Sequence, residues 1–97
     1  MTDTALCEYL KQYRRGQESA ASSKELEAAC HVKGTELRRA VNRLRCSGYP
    51  ICSDATGYFY AARPSEISAT IAQLTGRITK IAAAKNGMLK SFRGKEG

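Results

Sequence analysis

Apolar residues recur along this chain at helical spacing in four places, and short β-rich runs interrupt them once. Across residues 4–15, TALCEYLKQYRR, Leu6, Tyr9, Leu10 and Tyr13 share a helical face, and Gly16 ends the run. The polar stretch QESAASS follows. Ser23 then stands as the N-cap of a short second helix in which Leu26, Ala29 and Cys30 share a face. HVKG interrupts it. A third helix is predicted over residues 34–47, with Leu37, Ala40, Val41 and Leu44 at i, i+3, i+4 and i+7. Those positions commit one face to a core and leave Thr35, Glu36, Arg38, Arg39, Asn42, Arg43 and Arg45 outside it. The helix stops at Gly48, Tyr49 and Pro50.

The period then changes. Ile51 to Ser53 and Tyr58 to Ala61 read as two short strands, joined by Asp54, Ala55, Thr56 and Gly57. Pro64 and Ser65 open a fourth helix, predicted over residues 65–92. Within it Ile67, Ile71, Leu74, Ile78, Ile81, Lys85, Met88 and Phe92 alternate in steps of four and three. That is a heptad seam of 26 residues, about 39 Å long as a helix. Such a seam either pairs with a second chain or folds back on the preceding elements. Its regular 3–4 alternation favours pairing, although Lys85 lies on it and Gly76 and Gly87 weaken the helix. The terminal RGKEG is polar and glycine-rich, and is expected to be flexible from residue 93.

Charge sharpens this picture. The net charge is +7, and it is not spread evenly. Residues 33–48 carry five basic groups against Glu36, and residues 77–97 carry six against Glu96. The two remaining segments are each slightly acidic. Positive charge gathered in this way suits a polyanionic partner. With 42% hydrophobic and 26% charged residues the chain is a folded one, and its 97 residues allow one small domain with one element attached. No basic start, no signal-length apolar run and no stretch near 20 apolar residues occurs, so the expectation is a cytoplasmic protein.

Little in the chain points to catalysis or metal. It has one histidine, no glycine-rich phosphate loop and no nucleophile motif. Cys30, His31, Cys46 and Cys52 are the conceivable zinc set, but their spacing matches no finger or ribbon, and the four cysteines are expected to be mostly buried free thiols. Neither enzyme activity, a metal nor a cofactor is expected, and no small-molecule ligand is evident.

Residues 24–61, KELEAACHVKGTELRRAVNRLRCSGYPICSDATGYFYA, resemble the winged helix-turn-helix family, especially the N-terminal DNA-binding domain of biotin repressors and small bacterial and phage regulators. Leu26 matches the leucine that opens the first motif helix, Ala29 and Cys30 the small and apolar residues before the turn, and Val32 the residue that plugs the turn. Leu37, Val41 and Leu44, with small Ala40, match the second helix. Leu44, Arg45, Gly48, Tyr49 and Ile51 match its exit, and Gly57 and Tyr58 the wing strand. Three positions depart from the pattern: Glu27 stands for the usual alanine, His31 for the usual turn glycine, and Lys33 for the usual serine or threonine cap.

The resemblance implies a winged helix-turn-helix fold, mainly α with a small β-hairpin, over residues 1–62. A long amphipathic helix over 63–92 is expected to dimerise the domain, and 93–97 to be a flexible tail. It further implies sequence-selective binding to double-stranded DNA by a bacterial or phage transcription regulator, with helix 34–47 in the major groove. Thr35, Arg38, Arg39, Asn42 and Arg43 are then candidates for base edges. Lys33, Arg45, Ser53 and Thr56 are candidates for the DNA backbone. Ile67, Ile71, Leu74, Ile78, Ile81 and Met88 are candidates for a homodimer seam, in which a parallel pair would bring Lys85 against its own copy. The biotin-ligase portion of the repressors has no counterpart in this chain. Two alternatives stay open, a protein-interaction adaptor in a phage replication or packaging complex and a nonspecific architectural DNA binder.

Overall fold

The computed structural model describes residues 2–96, with side chains as far as Arg93. The chain is predominantly helical, with one two-stranded antiparallel hairpin and a long C-terminal helix. Helix α1 (Asp3–Tyr13) is capped by Thr2, whose hydroxyl accepts the Ala5 N–H at 3.0 Å, and it buries Leu6, Cys7 and Leu10. It ends two residues short of the expected boundary at 15. The reason lies across the fold. The Arg14 carbonyl accepts the Tyr60 N–H at 2.7 Å, and Gly16 N–H donates to the Tyr60 carbonyl at 2.8 Å, so the chain leaves the helix to line the hairpin. Ala21 repeats the device, exchanging both backbone bonds with Tyr58 at 2.9 and 2.8 Å. The polar stretch between these points, read from sequence as a loop, thus forms a third edge beside the hairpin.

Helix α2 (Ser23–Cys30) starts one residue earlier than expected. Ser22, not Ser23, is its N-cap, in a capping box: the Ser22 hydroxyl accepts the Glu25 N–H, and the Glu25 carboxylate accepts the Ser22 N–H. Ser23 instead donates its hydroxyl to Glu27 at 2.9 Å. Of the expected face only Leu26 is fully buried; Cys30 is half-buried and Ala29 is exposed. His31, standing for the usual turn glycine, ends α2 in the left-handed conformation (φ 56°, ψ 47°) that glycine adopts without steric cost. Val32 is half-buried against the core rather than fully enclosed.

Helix α3 (Gly34–Cys46) follows Lys33, which occupies the cap position without a side-chain cap bond. Leu37, Ala40, Val41 and Leu44 are all buried, packed against α1 and α2. Strands β1 (Ile51–Asp54) and β2 (Gly57–Tyr60) pair with Ile51 opposite Tyr60 and Asp54 opposite Gly57. The link is therefore a two-residue turn, Ala55–Thr56, where the sequence suggested four. Gly57 has φ 142°, and a Cβ there would stand 2.1 Å from the Ala21 carbonyl oxygen, so only glycine fits. Phe59, Cys52 and Ile51 are buried, whereas Tyr49 is exposed.

Helix α4 (Pro64–Glu96) spans 33 residues, about 50 Å. It includes residues 93–96, expected to be a flexible tail. Lysine and glutamate are good helix formers, and a lone glycine costs only about 1 kcal/mol. Its first turn is fixed by Glu66, which is 7% exposed. The Glu66 carboxylate accepts backbone N–H groups from Gln17 (2.8 Å), Ala62 (2.7 Å) and Arg63 (3.0 Å), and a guanidinium N–H of Arg63 at 3.0 Å. Thr70 is also buried, and its hydroxyl accepts the Ser53 N–H at 3.4 Å. The next turns stay beside the hairpin, with Ile71 and Leu74 facing Tyr49 and Pro50 across one cleft and Gln73 and Arg77 lining another. Past Arg77 the exposed helix makes the molecule 58 Å long by 30 by 23 Å.

Two measurements test this arrangement. Leu44→Ala should lower unfolding stability by about 2–5 kcal/mol in urea titration, because the cavity lies under both α1 and β1. Glu66→Gln should melt at lower temperature at neutral pH. The backbone N–H of Gln17, followed by that of Ala62, holds the Glu66 pKa below the ordinary glutamate value. A depressed pKa supplies stability above the unfolded value and loses it as the pH falls through the folded one. The variant's melting temperature should therefore fall less steeply with acid from about pH 5 downward. Asp3, Glu18 and Asp54, also depressed, keep part of the slope.

Candidate functional site

The outward face of α3 is set by its inward one. With Leu37, Val41 and Leu44 in the core, the helical period turns Thr35, Arg39 and Asn42 directly outward, and places Arg38 and Arg43 on its two flanks. All five are exposed. Their hydrogen bonding differs sharply, and it divides the sequence candidates into two groups.

Arg39 and Asn42 make no side-chain hydrogen bond among the described residues. Arg38 makes only a long one, Nη2 to the Thr35 hydroxyl at 3.5 Å. Lys33, exposed just ahead of the helix, is likewise unengaged among the described residues. These side chains are free to meet a ligand. Arg43 is not. Its Nε and Nη2 donate to the two carboxylate oxygens of Asp3 at 2.8 and 2.9 Å, a bidentate pair linking α3 to the first turn of α1. The Arg43 hydrogen bonds pull the Asp3 carboxyl below its usual range, and Asp3 raises the Arg43 guanidinium in turn.

Arg45, expected on the DNA backbone, is half-buried and turned toward the hairpin. Its Nε donates to the Ile51 carbonyl at 2.7 Å and its Nη2 to the Ser53 hydroxyl at 3.0 Å. Burial pushes its pKa down. The guanidinium holds β1 against the end of α3, and it occupies Ser53 as well. The remaining hairpin candidate, Thr56, donates both its N–H and its hydroxyl to Asp54. Asp54 also accepts from Gly57 N–H at 3.3 Å and from Gln17 Nε2 at 2.7 Å. Thr56 leads the groups that hold the Asp54 carboxyl low. The hairpin tip therefore carries a satisfied acid and no cation.

The structure thus gathers Lys33, Thr35, Arg38, Arg39, Asn42 and Arg43 on one surface, and assigns Arg45, Ser53 and Thr56 to holding the hairpin. Sequence reasoning missed Asp3 and Glu66. Asp3 lies 40 positions from Arg43, and nothing local marks it. Glu66 did carry a signal, as the third residue of a helix opened by proline, where a carboxylate reaches back to the preceding N–H. Among the described residues no group of three or more histidine, cysteine or acidic side chains is placed to hold a metal ion. Of the free thiols, Cys7 and Cys52 are buried, Cys30 half-buried and Cys46 exposed on the outer side of α3, against the expectation of general burial. No described helix is long and apolar enough to cross a membrane.

This division is testable without any ligand. Arg45→Ala should cost about 1–2 kcal/mol of stability by orphaning a carbonyl and a hydroxyl. Arg39→Ala should change it by less than about 0.5 kcal/mol. Parallel urea melts of the two variants decide it. No family model, curated protein or solved structure matches the chain, so its own residues carry the functional reading.

Proposed function

We propose that residues 1–62 form a winged helix-turn-helix domain that binds double-stranded DNA selectively, with α3 in the major groove, in a regulator of the bacterial or phage type. The observation that carries this reading is the exposed stripe of Arg38, Arg39 and Asn42 on a helix whose opposite face is wholly buried. Arginine is suited to read a guanine edge, and asparagine an adenine edge, through paired hydrogen bonds. Among the described residues the side chains of Arg39 and Asn42 make no hydrogen bond, and Arg38 makes only the long one to Thr35.

On this reading Arg39 and Asn42 reach base edges, with Thr35 and Arg38 beside them. Lys33 lies at the rim and takes a phosphate, while Arg43, two of whose five N–H groups are spent on Asp3, sets the edge of the surface. The hairpin, as the wing, offers the backbone of its tip rather than a basic side chain, with Asp54 restraining how closely it can approach phosphate. Binding is therefore expected to rest mainly on α3.

Selection of bound sequences from a random duplex pool supplies the site. On it, Arg39→Ala or Asn42→Ala should cost about 1–3 kcal/mol and relax selectivity at one position. Lys33→Ala should weaken binding to all duplexes alike and reduce the salt slope by about one ion. If both α3 variants bind the selected site as the parent does, α3 is not the reading element. If the parent binds no duplex at low salt, the reading is wrong altogether.

A further inference from the structure

Helix α4 leaves a long apolar stripe uncovered, broken only at Lys85. Ile71 is 57% exposed, Ile78 67%, Ile81 69% and Met88 76%, with Ile67, Leu89 and Phe92 also exposed. Such side chains leave on the order of 800 Å² of apolar surface along the stripe, about what each partner of a stable dimer covers and more than the roughly 300–600 Å² patch of a typical monomer. At its N-terminal end the stripe runs into a groove of about 420 Å³, walled by Tyr49, Pro50, Ile51 and Cys52 on one side and by Ile67 and Ile71 on the other.

We propose that this surface is covered by a second copy of the same chain, with the two α4 helices antiparallel, so that Met88 and Phe92 of each enter the groove of the other. The argument for a second copy is the character of the flanks. Written as a heptad, the seam places Ile71, Ile78, Lys85 and Phe92 at a, and Ile67, Leu74, Ile81 and Met88 at d. The e positions are then Ser68, Thr75, Ala82 and Leu89, and the g positions Thr70, Arg77, Ala84 and Ser91. These positions choose partners by charge, and only one of the eight is charged. Nothing there opposes self-pairing, and little there would select an acidic partner.

The argument for the antiparallel direction is charge and shape. Between Ser68 and Lys95 the helix has no acidic residue, and its basic groups begin only at Arg77. A parallel pair lays the two basic halves side by side and sets Lys85 against its own copy on the seam. An antiparallel pair lays each basic half along the other chain's residues 64–76, whose one charge is Glu66. The 4–3 alternation also closes on itself when reversed. Ile67 meets Phe92, Ile71 meets Met88, Leu74 meets Lys85 and Ile78 meets Ile81, each an a position against a d position. Opposed helix dipoles favour the same direction. Under this pairing an aromatic ring and a flexible thioether land in the groove, and Tyr49 is covered.

The proposal does not depend on DNA binding. Sedimentation of the unmodified protein at tens of micromolar should show a dimer; a monomer overturns it. Ile71→Cys and Met88→Cys, each in a Cys46→Ser background, should give a disulfide between positions 71 and 88 when mixed and oxidised, identified by mass spectrometry of the linked peptides. Links joining 71 to 71 or 88 to 88 in the separate variants mean a parallel pair and overturn it. A readout free of seam cysteines is hydrogen exchange at Tyr49, Ile51 and Cys52. Exchange there should slow as protein concentration rises, and Phe92→Ala should shift that dependence to at least about tenfold higher concentration. Concentration-independent exchange in the parent overturns the groove assignment.

Discussion

The quantity that governs this fold is the small apolar interior available to its first 62 residues. Its core is a set of leucines, small aliphatics and two buried thiols with one phenylalanine, and it contains no tryptophan. A domain of that size buries a smaller share of its surface than a larger one and is marginal on hydrophobic burial alone. The chain compensates with ionisable side chains directed at backbone. Glu66 gathers three N–H groups from two separate connections, Arg45 ties α3 to β1, and Asp54 closes the hairpin turn. The Glu66 and Arg45 ties cross between elements, and that of Asp54 fixes the turn within the hairpin. The hydrogen bonds are satisfied throughout, with no buried side-chain polar atom left without a partner among the described residues.

That economy decides which charges remain for function. The arginines of α3 look equivalent in sequence, because each lies off the apolar face of one helix. They become inequivalent only when distant segments arrive. Asp3 comes from the chain's first turn, and the Ile51 carbonyl from a strand after the helix has ended. The apolar period made the helix, its buried face and its outward stripe legible, since all depend on local spacing. The side-chain partners were illegible because they depend on which elements pack together. Arg39 and Asn42 keep their donors because the direction in which they point meets no other described side chain.

The same distinction applies to boundaries. The capping box of α2 was present in the sequence as Ser22 and Glu25, and an adjacent serine hid it. The end of α1 had no such mark, since Arg14 and Arg15 are good helix formers and leave the helix only to bond Tyr60. In α4 the seam was fully legible as a repeat, but a repeat is silent about direction. Direction becomes arguable only once the groove beside Tyr49 lies at one end of the seam and the basic residues at the other.

The two proposals meet in their symmetry. A parallel coil has its two-fold axis along the helices, so a duplex bound symmetrically would cross the coil. An antiparallel coil has its two-fold axis perpendicular to the helices, through the layers where Ile78 faces Ile81. A duplex sharing that axis can then run alongside the coil. Either arrangement demands inverted half-sites, because a two-fold axis relates the two α3 helices in both. Only the antiparallel one lets the outer face of α4 follow the phosphates, where Lys80, Lys90 and Arg93 would add a sequence-independent, salt-sensitive contribution. The concentration of positive charge in two separated segments then has one physical account. On the two proposals together, α3 would supply the charge that reads and α4 the charge that holds the duplex beside the seam.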